Sequence, residues 1–171
     1  LGRSRRYVHI TTPYLILDDT TLAALKFAAK RGVEVIIIMP HIPDKLYAYL
    51  LARSYYAELL RAGVQIYEYT PGFIHAKMFT SDDEKAVVGT INLDFRSLYL
   101  HFECASYFFR NAVVMDVEED FQKTLAKSER INFWKLPEYP FIRRFAGKAA
   151  ADSGAAYVEL QNERYGIFMF S

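Results

Sequence analysis

The chain has 171 residues, 52% of them hydrophobic, enough for one substantial core and too many for a disordered segment. Its 21 Lys and Arg against 20 Asp and Glu leave a formal net charge of +1, too balanced for broad attraction to nucleic acid, and none is expected as a partner. The single cysteine, Cys104, allows no internal disulfide and reads as a small core residue, and no apolar run approaches the roughly 20 residues that a membrane-spanning helix needs.

Along the chain, Arg3, Arg5 and Arg6 read as a solvated flank before a short strand, Tyr7–Thr11, which Pro13 closes. A helix is predicted from about Thr20 to Arg31, capped by Asp18 or Asp19 and stopped by Gly32, with Leu22, Leu25 and Ala29 on its apolar face. The run VEVIIIMP then reads as a buried strand, and Asp44 as the cap of a second helix that ends at Arg61 before Gly63. On that helix Tyr47, Leu50, Leu51, Tyr55 and Leu59 recur at helical spacing and read as core rather than as a lipid-binding stripe.

VQIYEY gives the next strand, so strand, helix, strand, helix and strand alternate, the pattern of right-handed crossover units. Strands are predicted at Phe73–Phe79, Lys85–Val88 and around Phe102–Phe109, with a helix from about Asp116 to Ser128 on the sheet. The expected class is therefore α/β, a mixed, largely parallel sheet flanked by helices. Further on, Pro140–Ala150 reads either as a helix docked on its own domain or as an interfacial one, and residues 151–171 as a tail without an assigned role. Residues 1–150 are taken as one domain.

The chemistry concentrates in one stretch, HAKMFTSDDEKAVVGTIN, where His75, Lys77, Asp82, Gly89, Thr90 and Asn92 spell HxKx4Dx6GTxN. Six specified positions at fixed spacing make this far more specific than a lone HxK pair. On a strand, alternation puts His75, Lys77 and Phe79 on one face, so that an imidazole and an ammonium share a pocket. An imidazole titrates near neutrality, and His75 can either attack phosphorus or protonate a leaving alcohol. Lys77 supplies a fixed positive charge for a phosphodiester oxygen, and Asn92, with Thr90 beside it, can donate to phosphate. Asp82 belongs to the motif's catalytic set by position, but in the turn SDDEK it is given a structural task. Glu103, in the apolar run LHFECASYFF, needs a partner if buried and is the candidate that orients His75. Tyr14, Arg96 and Ser97 are possible pocket residues; Arg96 and Ser97 either bind phosphate or serve local pairing, for Arg96 with Asp94. His9, His41 and His101 lack a Lys two residues on and read as ordinary polar or core histidines.

HxKx4Dx6GTxN is the signature of the phospholipase D superfamily, and from Tyr7 to about Ala146 the chain resembles the C-terminal half of a bacterial cardiolipin synthase. The resemblance rests on ITTPY, ALKFAAKRGVEVIIIMP, YYAELLRAGVQIYEY, PGFIHAK and GTINLDFRSLYLHFE, the last carrying Asn92, Asp94, Arg96 and Ser97 as NxDxRS. It implies a phospholipase D-like half-domain that joins two phosphatidylglycerol molecules into cardiolipin through a phosphatidyl-histidine, with no metal and no other cofactor. It also implies that His75 is the second-motif histidine and general acid, that Lys77 and Asn92 bind phosphate and that Glu103 orients His75. The first motif and membrane-spanning N-terminus of such enzymes are missing, His101 stands where Asn is usual, and the C-terminal ending differs.

A chain with one motif that starts at Leu1 is expected to be a piece of a longer protein, attached to the cell membrane through the parent protein. Its expected partners are the phospholipid substrate phosphatidylglycerol, the membrane surface, and either the missing first half or a second copy. The rival readings are a homodimeric phosphodiesterase or nuclease pairing two copies of His75, and a non-catalytic module that docks on a membrane or partner.

Overall fold

The computed structural model describes residues 1–136, so the expectations for Pro140–Ala150 and for the tail from 151 onward lie outside the described residues. Strands β1 (Tyr7–Thr11), β3 (Glu34–Pro40) and β4 (Gln65–Tyr69) pair in parallel at the centre, with two short residues of β2 (Leu15–Ile16) between β1 and β3 in sequence. Helix α1 (Asp19–Lys30) crosses from β2 to β3, and α2 (Leu46–Arg61) from β3 to β4. Parallel neighbours require such crossovers, and here the helices provide them.

Both faces of the centre are covered, which is why VEVIIIMP is apolar without alternation. Val35, Ile37 and Met39 pack with Leu25, Ala28, Tyr56 and Leu59 from α1 and α2. Ile36 and Ile38 turn the other way, onto Phe121 of α4 (Ala112–Leu125). On α2 the buried stripe is Ala48, Ala52, Tyr55, Tyr56 and Leu59, while Tyr47 and Leu50 are only half-buried. At the end of α1, Gly32 takes a positive φ of 87°, which a side chain would resist, and the helix stops there. At its start Asp18 accepts the Thr21 amide at 2.7 Å.

The remaining strands extend the sheet by antiparallel pairing. The order is β8-β6-β5-β1-β3-β4-β9, where β5 is Met78–Ser81, β6 Lys85–Gly89, β8 Ala105–Phe109 and β9 Ser128–Arg130. The class is α/β with a mixed sheet, as expected; its parallel part is the central trio. The motif strands β5 and β6 are joined by Asp82, Asp83 and Glu84 alone, and so short a turn permits only a hairpin. Asp82 and Asp83 sit at φ 59° and 58° to make it.

Three local expectations are corrected. Cys104 is exposed rather than core, because it precedes an edge strand with no neighbour beyond it among the described residues. The fourth helix begins at Ala112 instead of Asp116, because the Asn111 side chain accepts the Val113 amide at 3.0 Å and caps it early. Asp44 does not cap α2: the cap position is Lys45, with no side-chain bond. Asp44 is engaged elsewhere.

A second sheet of two strands decides where the site forms. β2 pairs in parallel with β7 (Leu93–Asp94), Leu15 opposite Leu93 and Ile16 opposite Asp94. This brings Tyr14, just before β2, beside Asn92, just before β7. Asp94 then caps the short helix α3 (Phe95–Tyr99) by accepting the Ser97 amide at 2.7 Å.

Candidate active site

The motif strand is shorter than predicted, and His75 and Lys77 precede its ladder. Its neighbour β1 ends at Thr11, opposite Met78, and Pro13 follows, so β1 offers His75 no ladder partner. The two side chains still converge. Lys77 is only 9% exposed, and its Nζ donates to the His75 carbonyl at 2.7 Å, so the ammonium folds back along the chain toward the exposed imidazole.

Both line an open cavity of about 580 Å3, walled also by Tyr14, Lys45, Gly89, Thr90 and Asn92. The ring of Tyr14 stands edge-on to His75, centroids 6.5 Å apart, and the ring of Phe73 lies tilted against it at 5.4 Å. The His75 pKa is lowered from its ordinary value by partial burial and by the Lys77 charge, with Lys45 adding to this and Asp44 opposing it. Burial likewise lowers Lys77, against the pull of Glu103, Asp44 and Asp94.

Gly89 is where the backbone must come close. A Cβ there would overlap the Cys104 carbonyl and the Ala105 backbone of the adjoining strand. The Thr90 amide donates to the Cys104 carbonyl at 2.9 Å, and the Thr90 hydroxyl donates to Glu103 while accepting the Cys104 amide at 3.0 Å. Both donors of Thr90 are therefore committed, and in this arrangement the residue shapes the cavity wall rather than offering a proton to phosphate. Asn92 donates Nδ2 to Ser97 Oγ at 3.0 Å, while its Oδ1 is buried with no hydrogen-bond partner among the described residues.

Glu103 is placed differently from expectation. Its carboxylate is held by the Thr90 hydroxyl, with Ser97 also bonded to it, and among the described residues no hydrogen bond joins it to His75. The Thr90 bond, above all, keeps its pKa below the ordinary glutamate value. His101 lies 4.0 Å away. Ser97 is buried between Asn92, Glu103 and the α3 cap, and Arg96 sits on that helix; neither lines the cavity.

Asp82 also lies outside the lining. Burial works against its charge, but the amides of Arg5, Arg6 and Tyr7, at 2.9, 2.8 and 3.0 Å, outweigh it and lower its pKa. It thus clamps the start of β1 to the motif hairpin, a structural task performed on distant backbone rather than on its own turn. Sequence reasoning missed Asp44 and Lys45, since an Asp ahead of a helix is indistinguishable from a cap.

This arrangement is that of known folds. The chain superposes with a TM-score of 0.65 on Nuc, a phospholipase D family member of Salmonella typhimurium, covering 77% of this chain and 85% of that one at 17% identity. With the phosphatidylserine synthase of Haemophilus influenzae the TM-score is 0.67, covering 91% of this chain and 42% of that one at 18% identity. The fold is therefore of the phospholipase D class. Residues 1–125 match the family described as cardiolipin synthase, PLD-like domain, and the chain belongs to that family. It is 42% identical over 141 residues to a cardiolipin synthase of Alkalihalophilus pseudofirmus, 82% of this chain but 28% of that protein. The chain thus spans little more than a quarter of the length of that relative.

Proposed function

We propose that this chain is the second half of the active site of a phosphatidyltransferase that makes cardiolipin from two phosphatidylglycerol molecules. Supporting this reading is one observation above all: an exposed imidazole, His75, shares an open cavity with a nearly buried ammonium, Lys77, and the amide of Asn92. A histidine from the other half, or from a second copy, attacks phosphorus. The new P–N bond forms as the P–O bond to glycerol breaks, and His75 as imidazolium gives its proton to the departing glycerol oxygen. In the return step the hydroxyl of a second phosphatidylglycerol gives its proton to His75 and attacks phosphorus, and the P–N bond breaks.

Lys77 and Asn92 hold the nonbridging oxygens through both steps. Burial and the charges of Lys77 and Lys45 lower the His75 pKa, which favours the neutral ring. A bound phosphodiester monoanion offsets those two charges and lets the ring take up the proton that it later donates. Glu103 acts at one remove, by fixing Thr90 and Ser97 and through Ser97 the amide of Asn92.

Exposed apolar side chains support the incomplete-site reading. Phe102 stands exposed just before the edge strand β8, and Tyr107 and Phe109 are exposed on it, on the face that pairs with Lys85 and Val87, the kind of surface that another domain covers. No helix among the described residues is long and apolar enough to cross a membrane.

The test is transfer from labelled phosphatidylglycerol by the purified monomer, then by the chain joined to a first half. Turnover is expected only in the joined protein and is expected to vanish in His75→Ala. Turnover by the monomer would refute the half-site reading. Cleavage of a generic phosphodiester by a dimer would replace it with two copies of His75 across a two-fold axis, and vesicle binding indifferent to His75→Ala, with an inactive joined protein, with a docking module.

A further inference from the structure

We propose that Tyr14, Asp44 and Lys45 form a subsite beside His75 that takes the hydroxyls of a polyol headgroup esterified to the phosphate held at Lys77. This rests on the phosphodiester site proposed above.

Asp44 immediately precedes the cap position of α2, which Lys45 holds without a side-chain bond. It makes no cap bond. Instead its Oδ2 accepts the Tyr14 hydroxyl at 2.5 Å, and among the described residues its other oxygen takes no hydrogen bond. Tyr14 is itself fixed, because its carbonyl accepts from the Thr12 hydroxyl at 2.8 Å and its ring stands against His75. The next residue, Lys45, lines the cavity with its Nζ 5.6 Å from the Tyr14 ring centroid.

Asp44 lies just outside the cavity lining, held against Tyr14 and close enough to act on His75, and a carboxylate there repels a phosphate bound beside it. It contributes to binding only by accepting a hydrogen bond from the ligand, and the ligand's donor is then either a hydroxyl or an ammonium. Lys45 decides between them. It occupies the aromatic face on which an ammonium would stack, and its charge repels one. A hydroxyl suits the pair, since it can donate to Asp44 and accept from Lys45. Two hydroxyls on adjacent carbons, as in glycerol, can engage both at once.

The experiment uses the 171-residue chain and soluble esters, so that it does not depend on turnover. Affinities for glycerophosphoglycerol, glycerophosphocholine and dimethyl phosphate are measured by amide-resolved NMR titration. Glycerophosphoglycerol is expected to bind about tenfold more tightly than dimethyl phosphate, the value of one charge-assisted hydrogen bond. In Asp44→Asn that advantage should fall to within about twofold, with dimethyl phosphate bound as well as before or better. Tyr14→Phe, which leaves the carboxylate in place, should keep part of it.

Equal affinities in the unaltered chain, a preference that survives Asp44→Asn, or tighter binding of glycerophosphocholine would each overturn the subsite. Lys77→Ala separates the two levels of inference, since it should weaken all three esters. If it leaves dimethyl phosphate binding unchanged, or if no ester binds saturably, the phosphate site itself fails and the subsite with it.

Discussion

The hydroxyl of Thr90 donates to the carboxylate of Glu103, thirteen residues on, and so ties the end of the HxKx4Dx6GTxN motif to the run that enters the edge strand β8. The bond holds Glu103 behind Thr90, which lines the cavity, rather than against the imidazole it was expected to orient. Replacing Thr90 with Val should remove that bond and the acceptor of the Cys104 amide. We expect a loss of about 1 kcal/mol in urea denaturation and transfer by the joined enzyme reduced at least tenfold. Wild-type transfer in Thr90→Val would mean that the wall need not be held.

Gly89→Ala tests close approach. The added methyl meets backbone of the neighbouring strand, which cannot rotate aside, so the hairpin must separate from β8 or shift. Overpacking of this kind costs about 1–3 kcal/mol, and we expect the upper end together with a displaced Thr90. Calorimetry measures the first and the Thr90 and Cys104 amide shifts the second; an unaltered melting temperature would contradict the packing described.

The imidazole of His75 offers a signed prediction that needs no activity. Its titration midpoint in the isolated chain should lie below 6.5, the ordinary histidine value. Lys77→Ala removes a depressing charge and should raise it; Asp44→Asn removes an opposing one and should lower it further. Proton NMR of the ring reads all three. A midpoint that ignores both substitutions would mean that the charges do not reach the ring.

Acid stability should depend on Glu118. It is buried on α4 with His9 Nδ1 at 2.8 Å, Gln122 Nε2 at 2.7 Å and the Thr80 hydroxyl on the same carboxylate. Burial opposes its charge, but these bonds prevail and its folded-state pKa lies below 4.5, the ordinary glutamate value. The stabilisation is therefore fully present above pH 4.5 and is lost as pH falls through the folded value. Glu118→Gln should flatten the acid limb of the stability profile between those two points. A limb of unchanged slope would assign acid unfolding to other carboxylates.

Much of this was legible in the chain, for identifiable reasons. β1 was bounded correctly because Pro13 ends it, and α1 to within a residue because Asp18 and Gly32 bracket an apolar stripe. His75, Lys77, Thr90 and Asn92 were found together because their spacing encodes a hairpin that carries its two ends to one mouth. What stayed hidden depended on partners remote in sequence. Asp44 looks like a cap until Tyr14, thirty residues earlier, takes it; Asp82 looks like a turn residue until the amides of Arg5 to Tyr7 arrive. Cys104 looked like core because the run around it is apolar, yet the edge leaves it uncovered.

One oxygen atom has a reach beyond its size. The Thr12 hydroxyl donates to the carbonyl of Tyr14 and accepts the amide of Leu93, so the segment that presents Tyr14 and the segment that presents Asn92 are tied there as well as by the pairing of β2 with β7. Loss of that hydroxyl would remove one of the links that keep the Tyr14 and Asn92 sides of the cavity in register.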